Sequence, residues 1–319
     1  MLIPAIQSVL ALLILIAVGF IITGRSWFPA NGTDFLSKLT VKVAIPCYMF
    51  YSVVTTTESP EQLLTLFSSL PIPYFTILVN LAAGLLLVRA FRITKYRRGV
   101  FINAVTFSNT VIIGFTIIQA LLGEQALPDA MIYYMANTTL FWTIGTFLLR
   151  RDNKAGLKLS ALEEVRNILS PPIIGFLLGI LVVLIRVELP AFIFTPITML
   201  KQMTTPIAMI FTGSVIRNTD FKTVKMSREL AIVLLVRFVM TPLFMVFLLR
   251  LLPISLQMKQ VFFLLSSMPA MTQLGIMAKE SKSDHEFASV LITVTTTVSM
   301  LILPLYILLL THWHILGTV

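Results

Sequence analysis

Residues 106–114 read TFSNTVIIG and place Ser108, Asn109 and Thr110 side by side in the middle of a long apolar run. In a hydrocarbon environment every backbone N–H and C=O group needs a partner inside the protein. An interrupted helix therefore persists only where its loosened backbone is buried against protein or lines a cavity. The three polar residues predict a broken membrane helix, and the break is the first candidate for a binding site.

A second interrupted stretch follows the first at a fixed separation along the chain. Residues 264–275, LLSSMPAMTQLG, place Pro269 at the position equivalent to Asn109. The same separation aligns AIPCYMFYS with TTPIAMIFT through Pro46 and Pro206. Two pairs of helix-interrupting segments at one separation indicate a duplicated scaffold.

The composition of the whole chain is that of a membrane protein. Its 319 residues are 57% hydrophobic and 12% charged, with a mean hydropathy of +0.93, whereas soluble domains carry about 25% charged residues. A hydrocarbon core of ~30 Å takes about 20 residues of helix. We therefore predict an all-α membrane protein with ten spans, near residues 3–23, 34–55, 70–91, 99–121, 128–149, 171–187, 191–216, 229–250, 258–278 and 286–310.

The basic residues predict the orientation of these spans. If the N-terminus is extracytoplasmic, most of the 24 Lys and Arg residues lie in cytoplasmic loops, as the positive-inside rule requires. Both termini are then extracytoplasmic, in a multi-pass protein of the cell membrane. The same bias accounts for the net charge of +10, so we predict no nucleic-acid partner.

The longest predicted cytoplasmic connection, residues 151–170, divides the chain into two sets of five spans. The first repeat is residues 1–150 and the second is residues 171–319. Because five is odd, the repeats have opposite orientations. Inverted repeats place a substrate near the membrane midplane, where discontinuous helices meet.

Four parts of the chain carry a similarity to a known family: FSNTVIIGFTIIQALLGEQALPDAMIYYMANTTLFWTIG at 107–145, TPIAMIFTGSVI at 205–216, Arg237 shortly before Thr241 and Pro242, and MPAMTQLGIMAKESKSDHEFASVLITVTTTVSMLILPL at 268–305. Through them the chain resembles the auxin efflux carrier family, which includes plant PIN-type carriers and bacterial malonate or malate permeases. The similarity spans almost the full length, and residues 107–145 are its most specific part.

The resemblance implies ten helices in two inverted five-helix repeats, with the fourth and ninth helices broken and crossing at the substrate site. It also implies organic anions as substrates and, from the plant members, a homodimer as an expected assembly. One position departs from the family pattern. Where many members have a proline, this chain has Thr116, so the first break relies on Asn109, Thr110 and Gly114.

The candidate substrate-binding residues lie at the two breaks and in nearby spans. They are Ser108, Asn109, Thr110, Asn137, Arg237, Pro269, Thr272 and Gln273, with Lys201, Lys42 and Thr138 as further candidates. The residues expected to interrupt or bend helices are Pro46, Gly114, Pro206 and Pro269. The alternative interpretations are interhelical hydrogen bonding for the polar groups and a kink that serves packing alone for Pro269.

Arg237 is the most costly of these residues to place in a membrane. It lies about 12 Å into its span at ~1.5 Å per residue, where a charge without water or a partner costs ~2.5–3.5 kcal/mol or more. Two roles remain open: attraction or binding of an anionic substrate, and hydrogen bonding to the backbone carbonyls of a broken helix. The positive ends of half-helices, each with roughly +0.5 charge, also favour an anion.

The predicted function is secondary transport of a small organic acid anion, such as malate, malonate or lactate, by alternating access. All 14 acidic residues lie in loops or near span ends, which favours uniport, exchange or proton-linked transport over coupling through a buried carboxylate. A sodium symporter of a larger amphipathic anion and an indole acid carrier are the alternatives within transport.

Other classes of function have less support in the sequence. The three histidines lie near or beyond span ends, and Cys47 is the single cysteine. We therefore predict no catalytic residues, metal site or cofactor, and take a small carboxylate and membrane lipid as the partners. A sensor or scaffold without transport remains a further alternative.

Overall fold

The structure is a computed structural model, and it describes residues 2–57, 60–151, 169–187, 189–218, 226–311 and residue 316. Throughout these residues the regular structure is helical, and one isolated antiparallel bridge, between Ser108 and Ala270, is the nearest approach to a β-sheet. The predicted all-α class is confirmed for the described part of the chain.

The described α-helices follow one another with short connections. They are α1 (Leu2–Thr23), α2 (Gly32–Leu39), α3 (Ile45–Thr56), α4 (Pro60–Ser68), α5 (Pro71–Ala90), α6 (Lys95–Thr106), α7 (Phe115–Leu122), α8 (Leu127–Leu140), α9 (Thr146–Arg151), α10 (Pro171–Ile185), α11 (Ala191–Gln202), α12 (Thr204–Arg217), α13 (Arg228–Leu235), α14 (Thr241–Leu251), α15 (Leu256–Ser266), α16 (Gln273–Glu280) and α17 (His285–Thr311).

Several of these helices are joined by π-helical turns rather than by loops. The π-turns are Thr40–Ala44, Thr110–Gly114, Phe141–Gly145 and Val236–Met240, and a short 3₁₀ turn covers Glu124–Ala126. Single π-turns inside α-helices are uncommon and occur frequently at functional sites. One of them contains Arg237.

Four described helical runs are long and apolar enough to cross a membrane: Gly32–Thr56, Glu61–Ala90, Arg228–Leu251 and His285–Leu310. Shorter apolar helices cover Leu10–Thr23, Thr110–Leu122 and Pro171–Ile185. These lengths and compositions agree with a membrane protein. The count of ten spans stays a prediction.

The chain forms two compact units, each built from separate segments of the sequence. Unit 1 comprises Met1–Ser69, Val111–Ile132 and Leu169–Thr219, and unit 2 comprises Leu70–Thr110, Tyr133–Ile168 and Asp220–Val319. Both units draw on both halves of the chain. The predicted repeats are consecutive stretches of sequence, unlike these units, and they stay a prediction. The predicted connection at 151–170 falls largely outside the described residues.

Unit 1 is held together by helices that pack through glycine. A Cβ atom on Gly213 of α12 would lie 2.0 Å from the Ile16 carbonyl oxygen of α1, and one on Gly175 of α10 would lie 2.2 Å from the Pro46 carbonyl oxygen of α3. Small residues allow such close approach, which is the main source of attraction between helices in lipid.

Unit 2 has a core of apolar and aromatic side chains around polar groups. Phe101, Phe107 and Phe141 are fully buried, and the rings of Phe107 and Phe141 meet edge to face with centroids 5.5 Å apart. At the centre of this core lie the two interrupted segments.

Candidate functional site

Two helices of unit 2 end abruptly in the middle of apolar sequence. Helix α6 ends at Thr106, and residues 107–109 are non-helical before the π-turn at Thr110. Helix α15 ends at Ser266, and α16 begins only at Gln273. The interruptions fall at the two places that the sequence predicts, and the first forms without a proline at position 116.

The backbones of the two interruptions pair with each other. The Asn109 N–H donates to the Pro269 carbonyl oxygen at 2.8 Å, and the Met271 N–H donates to the Phe107 carbonyl oxygen at 3.3 Å. Because pairing satisfies groups that lost their helical partners, each break stabilises the other.

Two side chains complete this pairing on its outer sides. The Asn137 Oδ1 accepts from the Ser108 N–H, and its Nδ2 donates to the Ser108 carbonyl oxygen, both at 3.1 Å. The Ala270 N–H donates to Thr295 Oγ1 at 3.1 Å. Asn137 therefore acts toward Ser108 as a neighbouring strand would.

The Arg237 side chain is buried between the ends of α6 and α15. Its guanidinium nitrogens donate to the carbonyl oxygens of Ala104, Val105, Met268 and Pro269 and to Ser108 Oγ, at 2.5–3.2 Å. Its Nε also donates to the Met268 carbonyl oxygen, at 3.0 Å. The carbonyl end of a helix carries partial negative charge, so the cation is held by the last turn of α6 and by the non-helical residues that follow α15.

The sequence alone leaves two roles open for Arg237. These contacts match the structural one, hydrogen bonding to the backbone carbonyls of a broken helix. A guanidinium has five N–H groups, and those of Arg237 are directed at protein acceptors in this structure. Direct contact of Arg237 with a substrate stays a prediction.

Several donors at the break have no partner among the described residues. The Asn109 Nδ2 is buried without a hydrogen bond, and the N–H groups of Thr272 and Gln273, at the start of α16, reach no acceptor within the described part of the chain. The Thr272 and Gln273 side chains are partly exposed, and Thr272 Oγ1 donates to Gln273 Oε1 at 3.4 Å. Unpaired donors at a helix N-terminus are suited to an anion.

Buried oxygen atoms without a partner form a second group in unit 2. Within the described residues they are Asn103 Oδ1, Thr106 Oγ1, Thr110 Oγ1, Thr138 Oγ1 and Ser281 Oγ. Leaving such groups unsatisfied costs ~1–3 kcal/mol each. The structure thus places nine of the candidates in unit 2: Ser108, Asn109, Thr110, Asn137, Thr138, Arg237, Pro269, Thr272 and Gln273.

The remaining candidates lie in unit 1. Pro46 follows the π-turn Thr40–Ala44 and the helix continues through it, whereas Pro206 follows a short turn at Met203 that separates α11 from α12. Gly114 ends the π-turn that precedes α7. Lys42 is exposed and lines an apolar groove.

Lys201 is buried in unit 1, where it pairs with Glu124. The Nζ to Oε1 distance is 2.5 Å, and Nζ also lies 3.4 Å from the centre of the Tyr51 ring. Ser52 Oγ donates to the Glu124 carbonyl oxygen at 3.1 Å. The nearest described partner of Lys201 is therefore an acidic side chain of its own chain.

Sequence reasoning missed two of these residues, Thr295 and Glu124. Thr295 lies in the threonine- and valine-rich run TVTTTV at 293–298 in α17, where no single threonine stands out. Glu124 follows Gly123, whose φ of 82° makes a tight turn that brings the following residues back toward α3. The glycine before an acidic residue was the available signal.

Comparison with known proteins defines the family. A sequence model described as membrane transport protein matches residues 4–307. The chain belongs to this family. The resemblance to auxin efflux carriers is thereby confirmed, and the protein is a membrane transporter.

Two archaeal proteins of this kind are similar to the chain over most of its length. An uncharacterized transporter of Methanocaldococcus jannaschii is 25% identical over 304 residues, which cover 93% of this chain and 96% of that protein. An uncharacterized transporter of Methanothermobacter thermautotrophicus is 24% identical over 309 residues, covering 94% and 96%. Membership of a transporter family favours transport over catalysis as the function.

Proposed function

We propose that this membrane transport protein is a secondary carrier of a small organic acid anion, of the malate, malonate or lactate type, which binds at the paired breaks of unit 2. The observation that carries the proposal is a set of donors without partners on the two breaks: the Asn109 amide and the N–H groups of Thr272 and Gln273. Donors without acceptors fit a carboxylate better than a cation.

The residues that stabilise the site differ from the residues that bind the substrate. Arg237 neutralises the carbonyl ends of α6 and α15, which otherwise repel an anion. Thr272, Gln273 and Asn109 are then the residues that contact the carboxylate, in an environment made positive by the N-terminus of α16. Selection of an anion in this scheme needs no side chain with a free positive charge.

We propose the inverted-repeat scaffold as the framework for this site. Helices α6 and α15 end at equivalent positions of the two repeats, 1–150 and 171–319, and α3 and α12 occupy the other equivalent pair. Alternating access between the two sides of the cell membrane follows from such a scaffold. Uniport, exchange and proton-linked flux are all compatible with it.

Sodium coupling is the second candidate, and one observation favours it. Buried oxygens of Asn103, Thr106, Thr110 and Thr138 have no hydrogen-bond partner among the described residues. Amide and hydroxyl oxygens have lone pairs that can coordinate a hard cation. Flux that depends on an imposed sodium gradient supports this candidate, and equal flux with potassium in place of sodium excludes it.

Flux into proteoliposomes tests the first proposal. Purified protein is reconstituted with internal malonate, and uptake of labelled malonate, malate and lactate is measured. We expect Gln273→Leu and Asn109→Leu to lower the initial rate at least tenfold, while Gln202→Leu, a matched change at an exposed position of α11, leaves it unchanged. Full activity in both site variants removes the proposed site.

A further inference from the structure

A cavity in unit 2, away from the paired breaks, is lined mainly by arginine. It has a volume of about 360 Å³, and its walls are Leu85, Val88, Arg89, Arg92, Arg98, Ile102 and Arg151. The four arginines come from the end of α5 and the turn after it, from α6 and from the last residue of α9. None of the lining residues that the structure describes is acidic.

The positive-inside rule explains the side of the membrane on which these arginines lie, but not their convergence. Two other arginines of unit 2 have partners: Arg97 pairs with Asp284 at 2.8 Å, and Arg228 stacks over the Phe91 ring at 4.6 Å. In contrast, the side chains of Arg89 and Arg92 show no hydrogen bond or ion pair within the described residues. The like charges of Arg89, Arg92 and Arg98 around one cavity repel each other, and an anion among them relieves this repulsion.

One of the four arginines is already fixed in position. The Arg98 Nε donates to the Ile93 carbonyl oxygen at 3.0 Å, and Arg98 is only partly exposed. This bond restrains the guanidinium before any ligand arrives, so less conformational entropy is lost on binding. Guanidinium groups bind phosphate through paired N–H donors, which makes phosphate the anion that this geometry suits best.

The remaining walls of the cavity are apolar. Val88 and Ile102 are buried, and Leu85 is 36% exposed. Along α5 the lining changes from leucine and valine to arginine toward the C-terminal end of the helix. A phospholipid at the membrane surface has the complementary order, with apolar chains followed by an anionic head group. Basic pockets between membrane helices bind such head groups.

We propose that this cavity is a phosphate-recognising site, and that the phosphate is the head group of an anionic phospholipid whose chain lies along Leu85. The phosphate contacts Arg89, Arg92 and Arg98 on the cytoplasmic side. The site is separate from the paired breaks, so binding here stabilises unit 2 and is independent of the carboxylate that the transporter carries.

Thermal unfolding of detergent-purified protein tests this proposal. Short-chain phosphatidylglycerol, short-chain phosphatidylcholine and inorganic phosphate are titrated separately. We expect phosphatidylglycerol to raise the midpoint at concentrations at least fivefold lower than phosphatidylcholine. Stabilisation by inorganic phosphate at equally low concentration supports the phosphate site and assigns it to a soluble ligand instead of a lipid.

The variants decide whether the cavity is responsible. Arg89→Gln with Arg92→Gln should remove most of the preference for phosphatidylglycerol. The control, Lys95→Gln with Lys279→Gln, removes the same charge from exposed positions outside the cavity and should keep it. An equal loss in both double variants overturns the proposal, as does an equal response of the unmodified protein to both lipids.

A charge-preserving variant keeps the test valid if the glutamine variant does not fold. Arg89→Lys with Arg92→Lys retains the charges but not the paired N–H donors. We expect its preference for phosphatidylglycerol to fall between those of the unmodified protein and the glutamine variant. A preference as strong as that of the unmodified protein overturns the assignment to guanidinium–phosphate recognition.

Discussion

At the scale of the residue, Arg237 shows how a buried charge can serve a structure instead of a ligand. Its guanidinium joins carbonyl oxygens from residues 104–105 to carbonyl oxygens from residues 268–269. Two stretches far apart in sequence are thereby held at one point. The sequence shows that this arginine is costly to bury. Its partners lie 129–133 residues earlier or 31–32 residues later in the chain, so only the fold reveals them.

Loss of the Arg237 side chain should destabilise the protein. In Arg237→Leu at least two carbonyl groups lose their donors, at ~1–3 kcal/mol each, so we expect a loss of about 3 kcal/mol or more. Arg237→Lys keeps the charge and should lose less. Unfolding in detergent measures both, with Arg25→Leu, at an exposed position, as the control expected to stay within ~0.5 kcal/mol. An unchanged midpoint for Arg237→Leu contradicts this role.

The Lys201–Glu124 pair predicts an unequal response to the removal of either partner. The Lys201 side chain is 7% exposed, whereas that of Glu124 is 36% exposed. Glu124→Gln leaves a buried ammonium without its counter-charge and should cost about 2–3 kcal/mol, below the range for fully buried pairs. Lys201→Met leaves a carboxylate that water can reach and should cost less. Chemical unfolding of both variants and of the double variant gives the coupling, and equal costs would refute the argument.

At the scale of the element, the two breaks are the part of the fold that the sequence predicts best. Polar residues and proline within apolar runs are local signals, and Asn109 and Pro269 lie in the non-helical residues. The π-turns could not be predicted in this way. They depend on how neighbouring helices pack, as in the turn Val236–Met240, which contains the buried Arg237.

Close helix packing gives a prediction at the same scale. A Cβ on Gly213 meets backbone at 2.0 Å, while a Cβ on Gly84 of α5 meets Ile102 at 3.4 Å, an ordinary contact. Since the backbone of α1 must move to admit a methyl group, Gly213→Ala should cost about 1–3 kcal/mol or more. Gly84→Ala, as the matched control, should be close to neutral. Size-exclusion profiles and thermal midpoints in detergent compare the two, and similar values would contradict the packing.

At the scale of the whole molecule, the composition and charge bias predict a membrane protein and its orientation, and the family comparison establishes a transporter. The interleaved units could not be predicted from the order of the spans. Each unit combines segments from both halves of the chain, and such a grouping depends on tertiary contacts.

The orientation can be tested with single cysteines. In a Cys47→Ala background, we expect Thr57→Cys and Pro253→Cys to react with a membrane-impermeant maleimide in intact cells. Ser26→Cys and Lys282→Cys should react only after permeabilisation, since the positive-inside rule places them in the cytoplasm. The reverse pattern would overturn the predicted topology of both termini.

Equilibrium binding of labelled malonate to the purified transporter tests the central claim, that the paired breaks hold a carboxylate, most directly. The account predicts saturable binding that weakens at least tenfold in Asn109→Leu and Gln273→Leu and is unchanged in Gln202→Leu. The account is contradicted if the unmodified protein and all three variants have the same affinity for malonate, for malate and for lactate.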